Sequence, residues 1–90
     1  MALTREQIAM DLQRLWIREP ITVVYATAHI EEAVQLSHRV AVMSPDGSGI
    51  AETISIELPY PRRMDKATAP RIVEYGNRIR TIFHSFGLFP

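Results

Sequence analysis

Two apolar runs set the terms for any fold this chain can reach. Ile21-Thr22-Val23-Val24-Tyr25-Ala26-Thr27 and Arg39-Val40-Ala41-Val42-Met43-Ser44 are rich in β-branched residues and show little polar alternation. Strands of that kind belong in sheets covered on both faces, whereas half-exposed strands alternate. Between the runs, Ile30-Glu31-Glu32-Ala33-Val34-Gln35-Leu36-Ser37 reads as a short helix with two carboxylates at its positive end. Strand, short helix, strand predicts a right-handed parallel crossover and hence an α/β sheet. A strand apolar on both faces needs neighbours along both edges and layers over both faces. A chain of 90 residues has few other elements to supply them.

Those other elements are well marked. Thr4 and Gln7 have capping-box spacing, and Leu3 and Ile8 are placed for a hydrophobic staple. Ile8, Leu12, Leu15 and Trp16 then form one stripe, and Pro20 stops the helix, which predicts a helix near residues 5–18 with that stripe in the core. Pro45-Asp46-Gly47-Ser48-Gly49 is a turn, and Ile54, Ile56 and Leu58 alternate with Thr53, Ser55 and Glu57 beyond it. A half-exposed strand there pairs antiparallel with residues 39–44. Pro59-Tyr60-Pro61-Arg62-Arg63 opens an extended linker over 59–67. A last helix within 68–90 carries the stripe Ile72, Tyr75, Ile79, Ile82, Phe83 and Phe86, an ion pair from Glu74 to Arg78, and Gly87 as its closing residue.

Composition removes several function classes. Ten basic and ten acidic residues give zero formal net charge, without the bulk footprint of a nucleic-acid binder or polybasic membrane module. Arg62-Arg63 beside Tyr60 is a miniature basic and aromatic patch, most simply a solvated linker. The absence of cysteine excludes disulfides, thiolate metal sites and cysteine nucleophiles. His29, Glu31, Glu32 and His38 match no familiar zinc spacing. Ser37 and Ser44 have no base and acid that the sequence connects into a triad. His84 lies off the last stripe and suits a helix end, where a protonated imidazole is favourable. Gly47-Ser48-Gly49 lies in a turn rather than between a strand and a helix, and no G-x-x-x-x-G-K-[ST] loop is present.

The string from Tyr25 to Ser44, with Thr27-Ala28-His29-Ile30-Glu31-Glu32-Ala33 leading into Arg39-Val40-Ala41-Val42-Met43, closely resembles ABC transporter ATPase subunits. In that family a strand ending in Thr-His-Asp precedes a Glu-Ala helix and an Arg-Val-x-Val-Met strand, and its histidine is the switch residue that contacts the γ-phosphate. Leu58-Pro59-Tyr60-Pro61-Arg62 is similar to the Leu-Pro-x-Pro-Arg tail of the nitrate, sulfonate and taurine import branch, and Ala2-Leu3-Thr4-Arg5 to the segment after the D-loop. The resemblance implies a partial P-loop ATPase domain: a crossover plus a β-hairpin, flanked by N- and C-terminal helices. It implies residues 1–58 as the C-terminal part of the ATPase domain, 59–67 as linker and 68–90 as a C-terminal helix.

The phosphate loop, Q-loop, signature motif and Walker B strand of the family would all precede residue 1. The resemblance therefore implies a chain that neither holds ATP and Mg²⁺ nor hydrolyses ATP by itself, although the parent family uses both. It also implies a membrane permease subunit and a second ATP-binding subunit as partners, at the cytoplasmic face of the cell membrane. The open strand edge is a route to self-association, and a stand-alone interaction module is the alternative. Aligned on Ile30-Glu31-Glu32-Ala33, Ala28 takes the switch-histidine position and His29 that of the aspartate. A one-residue displacement at a strand end reverses side-chain direction, so His29 is not a simple substitute. Losing the aspartate also removes a natural N-cap, at a cost of ~1 kcal/mol.

Overall fold

A computed structural model describes residues 4–87 as a small α/β unit. In chain order it contains α1 (Arg5–Arg18), α2 (Ile30–Leu36), β1 (Arg39–Met43), β2 (Ile50–Ser55) and α3 (Ala69–Ser85). The capping box forms as the sequence predicts: Thr4 Oγ1 accepts from the Gln7 N–H at 3.1 Å, and Gln7 Oε1 accepts from the Thr4 N–H at 3.0 Å. Leu3 of the staple lies outside the described residues.

The hairpin also forms. β1 and β2 pair antiparallel with Val40 opposite Ile54 and Val42 opposite Glu52, and a bulge falls between Val42 and Met43. Alternation places Val42 and Ile54 inward, where they meet Val34 of α2 and Ile72 and Ile79 of α3. Ile56 and Leu58, just past β2, complete that core. The connecting turn depends on Asp46, whose carboxylate accepts from Ser44 Oγ at 2.7 Å and the Ser48 N–H at 2.9 Å. Gly47 follows with a φ of 79°, in the region glycine adopts without a Cβ penalty. The hydrogen bonds from Ser44 and Ser48 hold the Asp46 carboxyl down at about 2. Asp46 therefore supports the turn above the ordinary carboxylate range, and that support is lost as pH falls through about 2. A carboxyl-detected NMR titration is expected to show Asp46 as the lowest-titrating aspartate.

Four expectations fail, and each failure has a physical reason. Residues 21–27 are extended but belong to no sheet; among the described residues the sheet has two strands, in the order β1-β2. Extended backbone becomes a strand only when another strand supplies its hydrogen bonds, and no backbone–backbone bond involves residues 20–28 among the described residues. Ile21 is 67% exposed and Val24 95% exposed. The parallel crossover accordingly does not form among the described residues.

The α1 stripe also faces outward. Ile8, Leu12 and Leu15 are exposed, while Ala9, Met10 and Gln13 on the adjacent face are buried. Among the described residues no element covers Ile8, Leu12 and Leu15, and the helix docks through Ala9, Met10 and Gln13 instead.

The third failure is Arg62, which is only 1% exposed rather than solvated. In α3, Gly87 takes the expected positive φ of 74°. Arg78, however, stacks on the Tyr75 ring at 5.3 Å, and no ion pair joins it to Glu74 among the described residues. The salt bridge that α3 does make is between Arg80 and Glu31 of α2, with Arg80 Nη2 donating to Glu31 Oε2 at 2.7 Å. Gly76 lies beside it, and a Cβ there would come within 3.2 Å of Glu31 Oε1.

Candidate functional site

The sequence-predicted site residues lie where the extended run enters α2. Thr27 organises the entry: its Oγ1 accepts from the His29 N–H at 3.0 Å and donates to Glu32 Oε1 at 3.1 Å. His29 is the N-cap of α2, and its side chain makes no capping hydrogen bond. The N-cap weakness read from the sequence is therefore present. Replacing His29→Asp supplies an acceptor to the free N–H groups of the first turn and is expected to stabilise the fold by about 1 kcal/mol. Urea denaturation followed by circular dichroism checks this.

Glu32 occupies the third helical position, where a capping box would place its carboxylate against the N-cap. It instead accepts from Tyr25 Oη at 2.8 Å and Arg5 Nη1 at 2.9 Å. Burial alone would raise its pKa, but the hydrogen bonds from Tyr25, Arg5 and Thr27 outweigh it and hold the carboxyl below its usual value. The same bond to Glu32 raises the Tyr25 phenol. Glu31 on the neighbouring helical position turns to Arg80. His38 stands apart, edge-on to Trp16 with ring centroids 4.7 Å apart. His29, Glu31 and Glu32 line one cavity with Arg5, Glu6, Gln35 and Met64, while His38 stands apart from it; among the described residues no group of histidine and carboxylate side chains is placed to hold a metal ion.

Ala28 and His29 line a cavity of about 200 Å³ whose other walls include Ile30, Val42, Ile79 and Phe83. These walls are largely apolar. The entrance to α2 carries the carboxylates of Glu31 and Glu32, of the same sign as a phosphate chain. A helix N-terminus holds phosphate by aiming free N–H groups and positive potential at it, and acidic side chains in the first turn oppose that. The residues present here do not fit a triphosphate with its Mg²⁺.

Sequence reasoning missed a second cluster. Arg62 fills the space beneath α2 and donates to four backbone carbonyls: Nη1 to Val34 at 2.8 Å and Ser37 at 2.6 Å, and Nη2 to Leu58 at 2.8 Å and Ile56 at 3.4 Å. Val34 and Ser37 carry the carbonyls at the negative end of α2, which substitute for a carboxylate. The guanidinium also lies 4.1 Å from the centre of the Tyr60 ring. Burial pushes its pKa below the usual value, but arginine stays charged under all ordinary conditions.

The Arg62 main chain is read by two glutamines. Gln13 Oε1 accepts from its N–H at 2.6 Å, and the Gln13 and Gln35 side-chain amides both donate to its carbonyl at 2.9 Å. Pro59 and Pro61 have no N–H, and Gln13 takes the main-chain donor of Arg62, the first after Pro61. A useful sequence signal was the pairing of a proline-rich strap with buried-face glutamines on two helices.

The match to known proteins extends along nearly the whole chain. A Bacillus cereus (strain ATCC 10987 / NRS 248) aliphatic sulfonates import ATP-binding protein is 36% identical over 87 residues, covering 97% of this chain and 34% of the relative. The corresponding protein of a second Bacillus cereus strain is 32% identical over 87 residues, covering 89% of this chain and 35% of the relative. An uncharacterized ABC transporter ATP-binding protein of Methanocaldococcus jannaschii is 35% identical over 81 residues, covering 90% of this chain and 29% of the relative. Over nearly its whole length this chain is similar to ABC transporter ATP-binding proteins. It spans about a third of the length of the curated relatives it matches, in their C-terminal part. No family model matches it, and no solved structure matches it. No helix among the described residues is long and apolar enough to cross a membrane.

Proposed function

We propose that this chain is the C-terminal portion of an ABC importer ATP-binding subunit that energises solute uptake, of the nitrate, sulfonate and taurine type. The observation that carries the reading is similarity along nearly the whole chain to sulfonate-import ATP-binding proteins, together with the Leu58-Pro59-Tyr60-Pro61-Arg62 strap. Residues 1–58 belong to the ATPase domain, 59–67 connect, and 68–90 add a terminal helix. In that role the partners are a permease subunit and a second ATP-binding subunit, and the place is the cytoplasmic membrane face.

Alone, the chain is inactive. Its sequence contains no phosphate loop, and the entrance to α2 offers carboxylates and an apolar wall. ATP and Mg²⁺ would be held by residues outside this sequence. Within an assembled subunit, Ala28 removes the side chain that reaches the γ-phosphate in the family pattern, and His29 is its displaced neighbour.

Phosphate release tests this. The free chain is expected to show none. Joined behind the preceding two thirds of the Bacillus cereus relative, the chain with Ala28 is expected to hydrolyse ATP slowly, and Ala28→His to raise the rate by roughly a hundredfold. Equal and robust rates in both forms would defeat the assignment of Ala28.

A further inference from the structure

We propose that Arg80 of α3 is a positioning residue for the entry to α2, so that the terminal helix sets where Ala28 and His29 stand. The proposal rests on the functional reading above and adds a control exerted on that segment from α3. α2 has seven residues, too few for a helix to hold its own geometry in water. Its N-cap, His29, supplies no side-chain hydrogen bond, and the first main-chain bond of the helix runs from the Ala33 N–H to the His29 carbonyl at 3.1 Å. The orientation of the first turn is therefore settled by the side chains that leave it.

Glu31 leaves it toward α3, 49 positions away in sequence. Arg80 Nη2 donates to both carboxylate oxygens, at 2.5 Å to Oε1 and 2.7 Å to Oε2. A charge-assisted contact to both oxygens fixes the direction of the carboxylate as well as its distance. The guanidinium is itself held, because Nη1 donates to Asn77 Oδ1 at 3.3 Å. Beside the pair stands Gly76, buried in the middle of α3, where glycine costs a helix about 1 kcal/mol relative to alanine. A Cβ there would come within 3.2 Å of both Arg80 Nη1 and Glu31 Oε1, so the glycine leaves the room in which the pair meets.

The pair orients more than it stabilises. Its side chains are 39% and 33% exposed, and solvent screens a contact of that kind. The two helices are docked by other groups, since Val34 of α2 packs in one core with Ile72 and Ile79 of α3. Glu32, the other carboxylate of the first turn that bears on the entry, turns to Arg5 of α1 instead. The entry to α2 is thus held from two helices, and Arg80 is the hold from α3.

Arg80→Gln, Glu31→Gln and the double variant separate positioning from stability. In the free chain, hydrogen exchange of the His29 and Ala33 amides is expected to quicken about tenfold in each single variant, while the β1 and β2 amides keep their rates. The double variant is expected to match either single one, because all three remove the same contact. In the chain joined behind the first two thirds of the Bacillus cereus relative and carrying Ala28→His, Arg80→Gln is expected to lower kcat about tenfold and leave the KM for ATP unchanged.

Unchanged exchange at His29 and Ala33, equal quickening across the hairpin, or single effects that add in the double variant would each overturn the proposal. So would an active joined chain whose kcat Arg80→Gln leaves alone. A joined chain that hydrolyses no ATP even with Ala28→His removes the functional reading, and the exchange rates of the free chain then decide the positioning role by themselves.

Discussion

Arg62→Ala is expected to destabilise the fold by about 3–5 kcal/mol, a large share of the stability of a domain this size. The substitution leaves the carbonyls of Val34, Ser37, Ile56 and Leu58 without the donor they share, and opens a space beneath α2. It also withdraws the cation that lies over the Tyr60 ring. Arg62→Lys separates charge from shape. An ammonium keeps the charge but cannot reach four carbonyls spread across the end of α2 and the strap, so about half of the loss should remain. Guanidinium denaturation with the intrinsic fluorescence of Trp16 reads both, because Trp16 packs on Tyr60 at 5.5 Å between ring centroids. A loss below about 1 kcal/mol for Arg62→Ala would show that water satisfies those carbonyls as well as the guanidinium does.

Ile72→Ala is the second large effect. Ile72 is fully buried at 0% exposure and sits among the α2, β1 and β2 side chains of the one core cluster. Removing its branched side chain costs the transfer free energy of the lost carbons and leaves a cavity, together about 2–5 kcal/mol. The exposed neighbour Val73→Ala is expected to cost well under 1 kcal/mol in the same measurement. Similar losses at both positions would mean that α3 is not anchored by the face described here. The contrast is informative because α3 supplies Ile72 and Ile79 to the core, while α1 buries only Ala9, Met10 and Gln13, none of them in that cluster.

Where sequence reasoning succeeded, the determining forces were local. The capping box of α1, the glycine-bearing turn after Ser44 and the alternation around Ile54 and Ile56 each rest on residues a few positions apart. The α3 stripe was legible for a related reason: a helix with one apolar face needs only some core to face. The bare N-cap at His29 was also readable, since a missing acceptor is a property of the residue itself.

The failures at 21–27, on α1 and at Arg62 all concern partners distant in sequence. β-branched residues from Ile21 to Val24 determine that the segment is extended, but a ladder needs a second strand, and none lies beside it among the described residues. The stripe from Ile8 to Leu15 determines that α1 has an apolar face, but which face is buried follows from what is available to cover it.

For this protein, the order of local elements and their periodicities came from the sequence by itself, because they depend on backbone preference and side-chain spacing. The tertiary structure alone decided that Arg62 is a buried clasp and that the most apolar run stays open. Both outcomes depend on which carbonyls, rings and strands from elsewhere in the chain arrive within reach, and no local pattern encodes that.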